Sequence, residues 1–285
     1  MQRLGKILPM KRFFKAFLLG VVVFFTGNTI YLYNAQDSLI FNYKPLPQNH
    51  SFEMSQKFEE RSYRVDRGID LNALYFPQTT TSETKGVVIC YHGRGTNLSR
   101  GWDKLSKFYV ERGYDFIVYD YRGFGKSPGR IDTSNLYSDP LKMYEIITSE
   151  YKGKKVIVLG RSMGTNFATY VAALKKPDGL VLDAPFYSML DMACLTKPYI
   201  PRFLLQKILK YPMRTNQFIK KVDCPILIFH GTVDKTVPYC ESVRLFDIIK
   251  HKEKTRFVKL EGMDHFSLFQ HSDYEPSVND FLKEL

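Results

Sequence analysis

From Gly86 to the end of the chain, short apolar segments rich in β-branched residues alternate with segments of helical spacing. The strand-like segments are Val87–Tyr91, Phe116–Asp120, Val156–Leu159, Leu180–Leu182, Ile226–Phe229 and Arg256–Leu260. Strands that are apolar along their whole length are typical of a parallel sheet covered by helices on both faces. Two earlier runs, Glu60–Val65 and Ile69–Phe76, flank a turn and predict an antiparallel hairpin. We therefore expect an α/β fold: a mostly parallel sheet with an N-terminal antiparallel hairpin and helices on both faces.

The segment at residues 186–222 interrupts this alternation. It has no strand pattern, contains Pro198 and Pro201, and includes an apolar helix-like run at Phe203–Leu209. We expect it to form a short lid over the strand ends. An ordinary long crossover between two strands is the alternative.

The N-terminus has the composition of a membrane anchor. Ala16–Tyr33 is an 18-residue stretch without a charge, close to the shortest helix that spans a bilayer. We expect a basic leader and anchor at residues 1–34, a tether at 35–57 and the main domain at 58–285. A cleaved signal peptide and a buried helix are the alternatives. The basic residues lie before the stretch, which predicts a domain on the non-cytoplasmic side of the membrane; they are Arg3, Lys6, Lys11, Arg12 and Lys15.

The distribution of charge, the spacing of the cysteines and the lack of certain motifs argue against nucleic-acid partners, cofactors and metal ions. The formal net charge is +12, but five of the positive charges lie in the leader and the rest are interleaved with acids, so we expect no nucleic-acid partner. The four cysteines have no metal-ligand spacing and no C-x-x-C pair, although a disulfide stays open for an exported domain. No phosphate loop, dinucleotide fingerprint or metal cluster is present, so we expect no cofactor and no metal.

The segment Gly160-Arg-Ser-Met-Gly164 directly follows a predicted strand and directly precedes a predicted helix. In that context G-x-S-x-G is the pattern of a nucleophile elbow, a turn so tight that flanking side chains would collide. The turn exposes the serine hydroxyl at the edge of the sheet. The sequence therefore predicts Ser162 as a nucleophile.

A serine hydroxyl needs a base to take its proton and an acid to orient that base. His265 follows the last strand and Asp234 follows the strand before it, which gives the order Ser…Asp…His expected for such a fold. We predict Ser162, Asp234 and His265 as a catalytic triad. His271 is the alternative base, and Asp183 is the alternative acid.

Acyl transfer also needs hydrogen-bond donors for the oxyanion. The backbone N–H of Met163, directly after the nucleophile, is one predicted donor. The glycine-rich loop at residues 92–97 follows the first parallel strand, and we predict the Arg94 N–H as the second donor. In the next loop, we expect Arg122 to pair with Asp120 and to brace the structure.

Together these motifs resemble the α/β-hydrolase superfamily, and specifically its membrane-anchored BEM46-like serine hydrolases. The resemblance covers about residues 35–285 and rests on His92-Gly-x-Gly-x-Asn97, Asp120-Tyr-Arg-Gly-Phe-Gly-x-Ser127, Gly160-Arg-Ser-Met-Gly164, His230-Gly-Thr-x-Asp-x-x-Val-Pro238 and Gly262-x-x-His265. It implies hydrolysis of esters, thioesters or acyl lipids, with a small-molecule or lipid acyl group as substrate. A serine peptidase of the same fold and a non-catalytic membrane scaffold are the alternatives. The lid is basic and lacks the acidic cluster that would hold a peptide's amino terminus.

Overall fold

The structure, a computed structural model, describes residues 7–285, with side chains from residue 12 onward. Its centre is an eight-stranded sheet in the order β1-β2-β4-β3-β5-β6-β7-β8. The strands are β1 Glu59–Asp66, β2 Ile69–Phe76, β3 Gly86–Tyr91, β4 Tyr114–Tyr119, β5 Lys155–Arg161, β6 Gly179–Asp183, β7 Ile226–Gly231 and β8 Thr255–Leu260.

Strand directions agree with the sequence analysis. β1 pairs with β2 and β2 with β4 in antiparallel fashion, whereas every later neighbour pair is parallel. The central strands β3, β4, β6 and β7 are buried at every position, because both of their faces are covered. The predicted α/β-hydrolase fold, with a mostly parallel sheet and an N-terminal hairpin, is confirmed.

Helices cover the sheet on both faces. α3, α4 and α8 pack on one face, while α2 and α9 pack on the other, so the core is divided into two layers. The helices are α1 Ile7–Phe41, α2 Trp102–Val110, α3 Ser138–Ser149, α4 Gly164–Lys175, α5 Met189–Thr196, α6 Arg202–Ile208, α7 Thr215–Phe218, α8 Tyr239–Asp247 and α9 Tyr274–Glu284.

The N-terminal helix α1 is longer than the sequence analysis expected. It continues through residues 35–41, the first part of the predicted tether, because no glycine or proline interrupts the chain between Asn28 and Phe41. The helix ends where Asn42 adopts a left-handed conformation with φ 49°. Within residues 7–285, α1 is the one helix long and apolar enough to cross a membrane. Arg3 and Lys6 of the basic leader lie outside the described residues, and the three-part division of the chain otherwise stays a prediction.

The last turns of α1 pack against the domain. Gln36 Nε2 donates to the Ile208 carbonyl at 2.8 Å, and the Lys210 N–H donates to Gln36 Oε1 at 2.7 Å. The Phe41 ring is fully buried. Helix α1 therefore has an apolar N-terminal part and a C-terminal part that packs in the folded domain.

The helices α5, α6 and α7 lie between β6 and β7, in the segment predicted as a lid. Leu32 of α1 packs there with Ile200 and Leu205 in a small separate core. Large apolar side chains of this segment are left exposed, with Leu195 and Phe203 more than half exposed. The segment and the end of α1 thus form one unit.

Candidate active site

The turn from β5 to α4 holds Ser162 in a strained conformation. Its φ is 52°, in the left-handed region that side chains other than glycine seldom adopt. A Cβ at Gly164 would lie 1.8 Å from the Tyr91 carbonyl oxygen, and one at Gly160 would lie 2.5 Å from the Thr165 Cα. Only glycine fits at either position, so the chain can make this turn and present the serine at the carboxyl end of the sheet.

The structure brings Ser162, His265 and Asp234 together in the predicted order. The distance from His265 Nε2 to Ser162 Oγ is 2.9 Å, and that from His265 Nδ1 to Asp234 Oδ2 is 2.6 Å. Asp234 follows β7 and His265 follows β8, so neighbouring strand ends deliver both residues to the serine. All three side chains are largely buried. Their geometry permits a proton to pass from the serine to the imidazole while the carboxylate holds the ring.

Asp234 is held as a carboxylate. Its Oδ1 accepts backbone N–H hydrogen bonds from Thr236 and Val237, both at 2.8 Å. Burial acts to raise the pKa of Asp234, but hydrogen bonds from His230 and His265 outweigh it and hold that pKa well below its usual range. A fixed negative charge therefore faces the His265 ring.

The alternative base and acid lie elsewhere. His271 accepts the Asp273 N–H at 3.1 Å on the surface. Asp183 lies under the turn at Ser162: its carboxylate accepts the Tyr274 hydroxyl at 2.9 Å, and its backbone carbonyl accepts the Ser162 N–H at 2.8 Å. Neither side chain contacts the serine hydroxyl or His265.

Gly93 of the loop at residues 92–97 packs directly on Ser162. A Cβ at Gly93 would lie 3.2 Å from the Ser162 Cβ, so glycine is what allows the loop to approach. Among residues 7–285, neither the Met163 nor the Arg94 backbone N–H donates a hydrogen bond. Both groups thus keep a free donor beside the serine, and their assignment to an oxyanion hole stays a prediction.

The expected pair between Arg122 and Asp120 is wrong. Asp120 is fully buried, lies 3.2 Å from His92 Nε2, and accepts the Leu98 N–H at 3.2 Å. Arg122 instead binds Asp139 at 2.6 Å, in a largely buried ion pair. The loop at residues 92–97 is therefore braced from inside by the buried Asp120 carboxylate.

Ser162 lies on the border of two cavities. The first, called here the apolar cavity, has a volume of about 330 Å³, and most of its lining residues come from α1 and the predicted lid segment, with Arg94, Met163, Thr236 and Val237 completing it. The second, called here the basic cavity, has a volume of about 590 Å³ and also contacts His265. Its charged lining residues are Arg94, Arg100, Lys104 and Arg161.

The remaining predicted features concern cysteines and metals. All four cysteines, Cys90, Cys194, Cys224 and Cys240, are free thiols. Burial raises the pKa of the Cys90 thiol well above its usual value, so it stays protonated. Across the described residues no group of three or more His, Cys, Asp or Glu side chains is placed to hold a metal ion.

Two contributors to the site were missed by sequence reasoning. One is α1, whose residues Gln36, Leu39 and Ile40 line the apolar cavity. Their helical spacing, and the absence of a helix breaker before Asn42, could have signalled that the helix continues. The other is the basic cavity. Its residues Arg94, Arg100 and Lys104 lie close together in the sequence, but only the fold brings them beside Arg161 and His265.

The chain is similar in sequence to several known proteins. A family model described as serine aminopeptidase, S33, matches residues 82–208. An uncharacterized protein of Mycobacterium tuberculosis is 25% identical over 242 residues, covering 84% of each chain. The lysophosphatidylserine lipase ABHD12 of Danio rerio is 26% identical over 223 residues, covering 69% of this chain and 58% of that lipase.

Solved structures share the same architecture. An esterase of Pyrococcus furiosus superposes with a TM-score of 0.66 at 16% identity, covering 86% of this chain and 98% of the esterase. Est1E of Butyrivibrio proteoclasticus, solved with ferulic acid bound, gives a TM-score of 0.60 at 20% identity, covering 79% and 98%. The chain has the α/β-hydrolase fold. Its resemblance to the membrane-anchored BEM46-like branch stays a prediction.

The buried carboxyl of Asp183 makes a testable contribution to stability. Burial raises the pKa of Asp183 to about 6, against roughly 3.9 in an unfolded chain. Because the folded carboxyl binds its proton more tightly, this contribution is fully present below about pH 4 and is lost as the pH rises through 6. When the pH is raised from 4 to 7, we expect the free energy of unfolding of Asp183→Asn to increase by about 2 to 3 kcal/mol relative to that of the wild type.

Urea unfolding of both proteins at these two pH values, in one detergent, measures this difference. Asparagine keeps an acceptor for the Tyr274 hydroxyl, so the comparison isolates the charge. A stability difference that is the same at both pH values would contradict the assignment.

Proposed function

We propose that this chain is a serine hydrolase that cleaves carboxylic esters or thioesters through an acyl-enzyme. The observation that carries the proposal is the hydrogen-bonded chain from Ser162 through His265 to Asp234. The likeness to a lysophosphatidylserine lipase and to esterases supports the class of reaction.

The geometry accommodates each step. Ser162 Oγ attacks the carbonyl carbon while His265 Nε2 takes the hydroxyl proton, and the oxyanion accepts the N–H groups of Met163 and Arg94. The bond to the leaving oxygen or sulfur then breaks, and His265 returns the proton to the leaving group. Water attacks the acyl-enzyme with His265 again as base, which releases the acid and restores Ser162.

Asp234 is a positioning residue in this scheme. Its Oδ2 accepts the Nδ1–H of His265, so Nε2 faces the serine without a proton. The ionised state of Asp234 also stabilises the imidazolium that forms during each proton transfer.

Membrane anchoring through α1 belongs to the same proposal. We infer a single-pass anchor with the hydrolase domain on the non-cytoplasmic side, since the basic leader precedes the apolar stretch. The exposed apolar side chains of α1 support it: Phe13, Phe14, Phe17 and Leu19 are all more than 60% exposed. An enzyme held at a bilayer has ready access to acyl lipids and acylated proteins.

A serine aminopeptidase is the second candidate, because the matching family model carries that description. Such an enzyme needs a carboxylate to bind the substrate's amino terminus. Among the described residues, neither cavity beside Ser162 is lined by an aspartate or a glutamate. This observation favours esters over peptides, and faster cleavage of aminoacyl arylamides than of esters would reverse the preference.

Labelling with a fluorophosphonate probe tests the nucleophile. In detergent-solubilised full-length protein, we expect the wild type to label and Ser162→Ala to lose labelling and ester hydrolysis, because no other described hydroxyl contacts His265. Loss of the triad serine typically lowers kcat by about a millionfold. Ser149→Ala is the matched control, since Ser149 is exposed at the end of α3 and its hydroxyl donates to the Ile146 carbonyl.

The folded state of each variant is checked by its urea midpoint. Labelling that persists in Ser162→Ala, or a folded wild type that neither labels nor hydrolyses any ester, would overturn the proposed function.

A further inference from the structure

The end of the membrane helix is part of the site that contains Ser162. Between Leu32 and Ile40 the axis of α1 advances about 12 Å, and this length borders the apolar cavity. The exposed aromatic rings Tyr31 and Tyr33, residues typical of a membrane interface, flank Leu32 at the end of the apolar stretch. With the proposed anchor, the cavity therefore begins at the end of the membrane-spanning stretch.

The contacts between α1 and the domain fix this wall in place. Tyr211 donates to Asp37 Oδ1 at 3.0 Å, and the Gly95 N–H donates to the Phe41 carbonyl at 3.1 Å. Gly95 belongs to the same loop as Arg94. The anchor helix is thus hydrogen-bonded to the loop that packs on Ser162, and it cannot tilt away without disturbing that loop.

The lining of the apolar cavity is suited to a hydrocarbon chain. On the side opposite α1, the lid contributes flexible or aliphatic side chains, which adapt to an alkyl chain; they include Met189, Met192, Leu205 and Ile208. Its volume of about 330 Å³ is within the range of small-molecule sites. At the other end the cavity reaches Ser162 and Met163.

The basic cavity differs in its chemistry. Within residues 12–285, Arg94, Arg100 and Lys104 form no ion pair with a carboxylate. Arg161 contacts the carbonyls of His265 and Phe266, both at 3.4 Å, and the Phe269 ring, and its charge also acts on the buried Asp183 carboxyl. The three cationic side chains without a neutralising acid favour an anionic group near the serine.

From these two cavities we infer how the two halves of the substrate are arranged. The acyl chain lies in the apolar cavity against α1, which it reaches directly from the bilayer, and a phosphate or carboxylate on the leaving group lies in the basic cavity. Helix α1 is then a wall of the acyl-binding site as well as an anchor. This inference rests on the proposed ester hydrolase and specifies its substrate as an anionic acyl ester.

A substitution in α1 tests the acyl half. Leu39 lines the apolar cavity but is 42% exposed, so a larger side chain can be added there without disrupting a packed core. We expect Leu39→Trp to lower kcat/KM for dodecanoyl esters roughly tenfold or more while butanoyl esters change less than about twofold. Leu39→Ala, which widens the cavity, should shift the preference toward longer chains.

Leu19→Trp is the matched control, because Leu19 lies on the same helix, is exposed and lines no cavity described here. The rate of fluorophosphonate labelling reports whether Ser162 stays active in every variant. If Leu39→Trp labels normally and keeps the chain-length profile of Leu19→Trp, the inference is overturned while the proposed hydrolase stands. If the wild type neither labels nor hydrolyses esters, the hydrolase itself fails.

A pair of substrates tests the second part of the inference, that the basic cavity binds an anionic group on the leaving group. A monoacylglycerol and its phosphate, with the same acyl chain, differ only in the charge of the leaving group. We expect Arg100→Gln combined with Lys104→Gln to raise KM for the phosphate about tenfold, because two charge-assisted contacts are lost, and to change KM for the neutral ester less than about twofold.

Lys152→Gln is the control for the loss of a positive charge. Lys152 is exposed and precedes the amino end of β5, whereas Ser162 follows the carboxyl end of the same strand. A KM for the phosphate that the double variant leaves unchanged, or an equal rise for both substrates, would overturn the assignment of the basic cavity.

Discussion

The close contact between the start of α4 and the end of β3 is the constraint on which the rest of the site depends. Because Gly164 has no side chain, its Cα can pack against the Tyr91 carbonyl, and the chain can turn within the length of Ser162. That turn places the hydroxyl at the carboxyl end of the sheet and next to the amino end of α4, where helix dipoles favour negative charge. The strain in Ser162 is maintained by packing on both sides.

Parallel strand order then determines which residues can meet the serine. Neighbouring parallel strands end at the same edge of a sheet, so the loops after β7 and β8 carry Asp234 and His265 to the same point. Buried polar contacts hold these loops: His230 donates to or accepts from Ser242 and contacts the Val237 carbonyl at 2.8 Å. The site is therefore assembled on rigid strand ends, and its loops are braced from within.

Under the proposed anchoring, helix α1 connects this site to a membrane. Most of the large apolar side chains between Phe13 and Phe25 are exposed, whereas Gln36, Ile40 and Phe41 near its end are buried and Gln36 is hydrogen-bonded to the Ile208 carbonyl. An apolar chain that leaves a bilayer beside α1 can stay in contact with apolar side chains until it reaches Ser162. Under this arrangement the hydrophobic effect that anchors the protein also favours binding of the acyl group.

The sequence alone was sufficient for the sheet and for the two residues grouped with Ser162, because both depend on the strand pattern and the motifs at the strand ends. A strand followed by G-x-S-x-G identifies Ser162 without tertiary information, and strand order places Asp234 and His265. The pairing of Asp120 was predicted incorrectly, since its partner His92 belongs to a different loop and nothing in the neighbouring sequence distinguishes it from Arg122. The position of Leu39 in the wall of the apolar cavity could not be predicted for the same reason. The residues of the predicted lid that line this cavity with Leu39 lie far away along the chain.

Photo-crosslinking tests the central claim, that α1 is a wall of the site at Ser162. An alkyl fluorophosphonate with a diazirine at the end of its chain is allowed to label Ser162 in the full-length protein, and irradiation is followed by peptide mapping. The account predicts crosslinks to α1 between Leu32 and Ile40, and none in Ser162→Ala. Crosslinks confined to the basic cavity, around Phe266 and Phe269, would contradict it.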